Sequence, residues 1–227
     1  MSKAKGISIL SGGLDCTVAT SIYAEDYDLT AITFNYGQQS FEEELKHAKL
    51  VSEVLNMEHI IIDLPWLNKI SNSSLTGDNE IPTISEDDLD NYDVAIETAK
   101  SVWVPARNTV FCSIALAFAE VINAEIIIVG WDYEEAITFP DNSKEYLESF
   151  NKTIHYGSFD DITIKAPLID MNKADIVKKG FEIKAPMDLS YSCYNGSPKH
   201  CGVCESCKRR KRAFEIAKLD DPTKYMN

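Results

Sequence analysis

Gly6-Ile7-Ser8-Ile9-Leu10 is a short apolar run that stops at Ser11-Gly12-Gly13, after which apolar residues recur at helical spacing from Asp15 to about Ala24. A second strand pattern, Leu29 to Phe34, is followed by a helical one, Phe41 to Leu55, and by Ile60-Ile61-Ile62. Strand, helix, strand, helix, strand in this order predicts a parallel sheet with right-handed crossovers. Ser71 to Asp93 is polar and acidic, punctuated by Asn, Gly and Pro, and reads as a long mobile loop of the kind that serves as a lid. Beyond it, Thr109 to Val121 is an apolar helix. Glu125 to Gly130 is continuously apolar in its middle, which suits a strand buried on both faces near the centre of the sheet. Lys144 to Tyr156 and Lys173 to Gly180 predict two further helices with a strand at Ile162-Thr163-Ile164 between them. There is no internal repeat and no low-complexity segment.

The chain has 227 residues, 44% of them hydrophobic, which is enough for one sizeable α/β domain with a small appendage. The expected division is a main domain over 1–185 and a C-terminal subdomain over 186–227. No run of apolar residues is long enough to span a membrane, and Met1-Ser2-Lys3-Ala4-Lys5 leads straight into the first strand pattern, so the expectation is a cytoplasmic protein without membrane association. A formal net charge of −14 repels phosphate backbones and argues against broad nucleic-acid binding. Lys208-Arg209-Arg210-Lys211-Arg212 is the exception: either a solvated helix face or an RNA contact.

The glycines bring chemistry into the picture. Ser11-Gly12-Gly13-Leu14-Asp15-Cys16 lies where the first strand passes into the first helix, the place where backbone N–H groups and the helix dipole make an anion site. Glycine permits positive φ and close approach, and the Ser11 hydroxyl adds a donor; an ordinary capped turn is the plainer alternative. Neither G-x-x-x-x-G-K-[ST] nor G-x-G-x-x-G occurs, which disfavours Walker-type NTPases and dinucleotide dehydrogenases. The loop instead resembles the S-G-G-x-D-S signature of the PP-loop ATP pyrophosphatases, which split ATP into AMP and pyrophosphate. Cys16 stands where that signature has its last serine.

Cys193, Cys201, Cys204 and Cys207 crowd into fifteen residues with the spacing C-x7-C-x2-C-x2-C, which reads as a metal site. Zinc and an iron–sulfur cluster both use such spacing.

Further segments extend the resemblance along nearly the whole chain to the 7-cyano-7-deazaguanine synthase (QueC) family. They are Phe34-Asn35-Tyr36-Gly37-Gln38, Val104-Pro105-Ala106-Arg107-Asn108, Phe139-Pro140-Asp141, Pro167-Leu168-Ile169 with Lys173-Ala174, and Ser192-Cys193-Tyr194-Asn195-Gly196 leading into the cysteines. The resemblance implies a doubly wound, Rossmann-like parallel sheet of the adenine-nucleotide α-hydrolase type with a small zinc-binding helical appendage. It implies conversion of 7-carboxy-7-deazaguanine and ammonia to the nitrile at the expense of ATP, through an adenylated carboxylate and an adenylated amide. It also implies one structural zinc on the four cysteines and a homodimer.

Under that reading ATP contacts Leu10, Ser11, Gly12, Gly13, Leu14, Asp15, Cys16 and Thr17. Arg107 and Lys173 are candidate clamps on the phosphates, with Mg²⁺ bridging them, against the plainer reading of surface ion pairs. Asp15 orients the loop, holds metal or simply caps the helix. Asp141 is the candidate carboxylate for the N–H edge of the deazaguanine, or a turn residue after Pro140. Tyr36, Trp131 and Phe139 are candidates for stacking on a flat ring, or simply for packing. Two rival functions remain. One is a tRNA thiolation enzyme of the same fold, supported by Cys16, Cys112 and the basic run. The other is a non-catalytic nucleotide-binding module with a zinc knuckle.

Overall fold

The computed structural model describes residues 3–77 and 79–226. Five parallel strands form one sheet: β1 (Ala4–Ile9), β2 (Tyr27–Asn35), β3 (Glu58–Asp63), β4 (Ala124–Ile128) and β5 (Thr163–Lys165), in the spatial order β3-β2-β1-β4-β5. The strand at 124–128 is therefore interior, as its apolar run requires, but the central position belongs to β1. Chain direction across the sheet reverses at β1, so a crevice opens beyond the carboxyl ends of β1 and β4, the usual ligand position in open α/β sheets.

Helices α1 (Leu14–Tyr23), α2 (Phe41–Val54), α3 (Pro65–Ile70), α4 (Tyr92–Val102), α5 (Arg107–Ile122), α6 (Tyr133–Ala136), α7 (Lys144–Gly157), α8 (Lys173–Glu182) and α9 (Glu205–Ala217) complete the chain. One face of the sheet carries α5 and α7, packed through Ile7, Ile127, Phe111, Ala115 and Ile154. The other carries α1, α8 and α9 through Val18, Ile126, Ile128, Ile176 and Phe214. Because Ala213 and Phe214 of α9 sit in the same apolar cluster as Val18 and Ile176, the C-terminal segment shares the core of the main domain.

Sequence patterning missed α3, α4 and α6 and began α5 two residues late. The buried stripe of α4 is Ala95, Thr98, Ala99 and Val102, with correct helical spacing but mostly small side chains. α5 starts from Ala106 in the left-handed region (φ 52°), a start that carries no capping side chain to read. Among its described residues the segment 71–91 has no helix or strand of its own, yet Ser73, Leu75, Thr76, Ile81, Ile84 and Leu89 are buried. It is tied down by a bridge from Thr76 to Gln38 and another from Thr83 to Cys204. Among the described residues no single helix is long and apolar enough to cross a membrane.

Candidate functional site

The turn after β1 is shaped by what presses on it. Gly12 has φ +78°, and a Cβ there would stand 2.6 Å from the Ala48 backbone nitrogen, so α2 packs directly on the loop. Gly130, just beyond β4, passes as closely on the other side: a Cβ would lie 2.6 Å from the Cys16 nitrogen and 2.8 Å from its Cα. The Gly12 carbonyl accepts from the Tyr191 N–H at 2.8 Å, which pins the C-terminal segment to the same loop. Ser11, Gly13, Leu14, Asp15 and Cys16 then face a cavity of about 240 Å³. Its other walls include Leu10, Phe34, Tyr36, Gln38 and Glu44, together with Arg107, Asn108, Phe111 and Glu135.

Of the expected nucleotide contacts, Gly12 backs onto α2 and Thr17 is wholly buried in α1, where its hydroxyl has no hydrogen-bond partner among the described residues; neither lines the cavity. The Cys16 thiol turns inward to the Gly13 carbonyl and the Ser11 hydroxyl, each at 3.3 Å. Burial pushes the thiols of Cys16 and Cys112 above the ordinary range, so both are neutral and poor nucleophiles.

Arg107 lies on the cavity wall at the first turn of α5, with Nη1 donating to the Tyr36 hydroxyl at 3.1 Å. Lys173 is elsewhere. It lines a second cavity of about 30 Å³ together with Phe139, Glu134, Glu135, Tyr194, Glu205 and Arg209. Its Nζ donates to Asp15 Oδ2 at 2.5 Å, Asp132 Oδ2 at 2.8 Å and Glu135 Oε1 at 3.2 Å. It is thus no surface ion pair, nor does it reach freely into the main cavity. Burial works to lower its pKa, but the three carboxylates outweigh that and hold it well above the usual value. Burial raises Asp132 to about 7 and also lifts Asp15, while Lys173 overcomes burial at Glu135 and holds that acid low. The buried Asp15 Oδ1 has no hydrogen-bond partner among the described residues.

Asp141, expected to read the deazaguanine edge, is 8% exposed in the short turn Pro140–Asn142, and does not line the main cavity. Its carbonyl accepts from Asn108, and that asparagine and Asn142 stand in the wall instead. Phe139 stacks on Trp103 (centroids 6.3 Å apart, planes at 12°). Tyr36 and Trp131 do line the cavity. Asp132 and Glu135 escaped the sequence reading although they follow a buried strand; so did Glu44 and Tyr191, while Gln38 and Asn108 stood in family segments without a role of their own.

The four cysteine sulfurs lie within 4.8 Å of one another, and Cys201 and Cys207 are 3.9 Å apart. A zinc ion bound at about 2.3 Å places its sulfurs about 3.8 Å apart, so the set fits one tetrahedral ion and is too tight to enclose an iron–sulfur cube. The Cys201 amide donates to Cys193 Sγ, and those of Val203 and Cys204 to Cys201 Sγ, the amide shell that thiolate ligands take.

Most of the basic run on α9 is engaged within the fold and is not a free solvated face. Arg209 binds Glu205 and Glu134, Arg212 binds Asp90, and Lys211 sits over the Tyr225 ring at 4.2 Å. Arg210, 2% exposed, holds Asp221, Ser190, Ser192 and the Met187 carbonyl. These cations fasten the cysteine segment and the 71–91 strap to the main fold.

A glycine cradle without a Walker lysine, at the switch point of a doubly wound parallel sheet, defines a nucleotide enzyme of the PP-loop class. A family model described as "Queuosine biosynthesis protein QueC" matches residues 5–218, and the chain belongs to that family. A 7-cyano-7-deazaguanine synthase from Methanosphaera stadtmanae is 74% identical over 223 residues, covering 98% of this chain and 99% of that one. One from Methanobrevibacter smithii is 64% identical, covering 97% of each. Among solved structures, NMN synthetase from Francisella tularensis superposes with a TM-score of 0.49 at 18% identity, covering 96% of this chain and 84% of that one.

Proposed function

We propose that this chain converts 7-carboxy-7-deazaguanine and ammonia to 7-cyano-7-deazaguanine, releasing AMP and pyrophosphate. The observation that carries the reading is the cradle at Ser11–Cys16 opening into a cavity whose wall holds Arg107, in a chain matched to a synthase of that name along 98% of its length. A carboxylate oxygen leaves only once it carries phosphate. The acceptor oxygen attacks the α-phosphorus and pyrophosphate departs into the amide cradle. Ammonia then displaces AMP to give the amide. A second ATP adenylylates the amide oxygen, and loss of AMP with two protons leaves the nitrile.

The chain's own residues bind, orient and screen. The α1 N-terminus and Ser11 Oγ hold departing phosphate oxygens, and Arg107 neutralises charge building at the α-phosphate. Lys173 keeps Asp15, Asp132 and Glu135 converged. These three acids fit Mg²⁺: their oxygens lie within 4.8 Å of one another, and three carboxylates against one lysine leave an excess of negative charge. Held there, the ion would supply charge neutralisation to the phosphates. One structural zinc belongs to the cysteines.

Incubated with ATP, Mg²⁺, ammonium and the carboxy acceptor, the protein should make nitrile and AMP in step. Arg107→Ala should cut kcat about 100-fold or more, as loss of a charge-stabilising donor does. Conversion of ATP to ADP, or AMP release independent of the acceptor, would contradict the reading.

A further inference from the structure

Three carboxylates stand in the wall of the main cavity, Asp15, Glu44 and Glu135, and two of them are committed to Lys173. Glu44 makes no ion pair among the described residues; Arg107 pulls on it only at a distance. Burial raises its pKa accordingly. A carboxylate kept in a buried wall without a cation costs free energy unless donors meet it, and a ligand with N–H groups would add to the two donors that the protein itself supplies.

The side chain is also aimed. Ser40 Oγ donates to Oε1 at 2.6 Å and Gln38 Nε2 donates to Oε2 at 3.0 Å. Gln38 is itself immobilised, donating to the Phe34 carbonyl at 3.0 Å and accepting from the Tyr36 N–H at 3.0 Å. Both supports are buried, at 5% and 3% exposure. Each Glu44 oxygen therefore has one lone pair spoken for and one to offer. Beside it stand flat surfaces: Phe34 and Phe111 stacked at 4.1 Å with planes at 10°, and the Tyr36 ring 5.6 Å from Phe111.

Two acceptors side by side match two adjacent N–H donors. A 2-aminopyrimidinone edge has them, in its ring N–H and exocyclic amine. The adenine edge pairs an amine donor with a ring nitrogen acceptor, whose lone pair would face the carboxylate. We propose that Glu44, aimed by Gln38 and Ser40, reads the 2-aminopyrimidinone edge of the acceptor and keeps adenine out of that subsite. This rests on the proposed reaction for the identity of the acceptor, and it gives Glu44 the role that sequence reasoning assigned to Asp141.

The test compares the carboxy acceptor with its analogue lacking the 2-amino group, in the wild type, Glu44→Gln and Glu44→Ala. The wild type should prefer the amino acceptor by about 100-fold or more in kcat/KM, since a site built to bond a polar group rejects the analogue without it. Glu44→Gln should narrow the preference to within about tenfold by raising KM for the amino acceptor, with KM for ATP unchanged. A preserved preference, or a raised KM for ATP in place of the acceptor's, overturns the assignment. Calorimetric binding of the acceptor separates this claim from the reaction. Should the wild type bind but not turn over, the reaction fails, while Glu44 still stands or falls on whether Glu44→Gln weakens that binding.

Discussion

Lys173→Met should abolish turnover and lower the melting temperature sharply. The wild-type ammonium touches Asp15, Asp132 and Glu135, and the Asp132 side chain is wholly buried. Taking one partner from a buried charge cluster costs about 3–5 kcal/mol, because the remaining charges stay desolvated and repel one another. In a domain of this size that is roughly 6–20 °C in Tm. The sign with pH follows from the raised acids. Ionised Asp132, already held up to about 7 beside the lysine, is the costly form in the folded state. Without the lysine that acid rises further, so the deficit of the variant should grow as pH rises through neutrality and beyond, and shrink as acid protonates the cluster. A variant that melts with the wild type and still forms AMP would mean that Lys173 organises nothing.

Stripping the metal from the cysteines should remove ATP binding while most of the sheet domain stays folded. Cys193, Cys201, Cys204 and Cys207 share one apolar cluster with Leu75, Ile81 and Tyr191, and Tyr191, Ser192, Tyr194 and Ser206 are cavity wall. A segment this short has little core of its own, so folding energy that a structural zinc supplies, about 10–16 kcal/mol in isolated fingers, has no local substitute. Four thiolates left without the ion would repel, and the Tyr191 N–H would leave the Gly12 carbonyl. Chelator treatment or Cys204→Ser should therefore abolish nucleotide uptake by calorimetry. The five-stranded sheet, with its apolar cores on both faces, should keep its far-UV signal. Zinc returned to the chelated protein should restore binding. Full affinity for ATP in the stripped protein would show that the wall stands without its metal.

The parts of the fold that were legible were those whose signal is local. Ile7, Ile9 and the interior run Ile126-Ile127-Ile128 announce strands wherever they lie, and Gly12-Gly13 ahead of a helical repeat marks the cradle. α4 was overlooked because Ala95, Thr98 and Ala99 bury a helix face without large side chains. The order of strands in space was not written in any one of them. At the site, spacing alone grouped the cysteines, and collinear motifs carried Arg107 and Lys173. What remained hidden was partnership. Nothing near Lys173 in the chain foretells Asp15 or Asp132, and Glu44 reads as one of three consecutive acids on a helix start until Gln38 and Ser40 are seen to aim it. Arg209 to Arg212 misled for the same reason: charge runs are read as solvent-facing, whereas Arg209 and Arg212 reach Glu134 and Asp90, far away in sequence.

The most direct test of adenylyl transfer to the acceptor is to follow its two carboxylate oxygens, labelled with heavy oxygen, through a complete turnover. One oxygen should leave with the first AMP and the other with the second, so that each AMP carries a single labelled atom, pyrophosphate carries none, and two AMP form per nitrile. Label in pyrophosphate or inorganic phosphate, or a nitrile formed with unlabelled AMP, would place the attack at another phosphorus or another nucleophile and contradict the account.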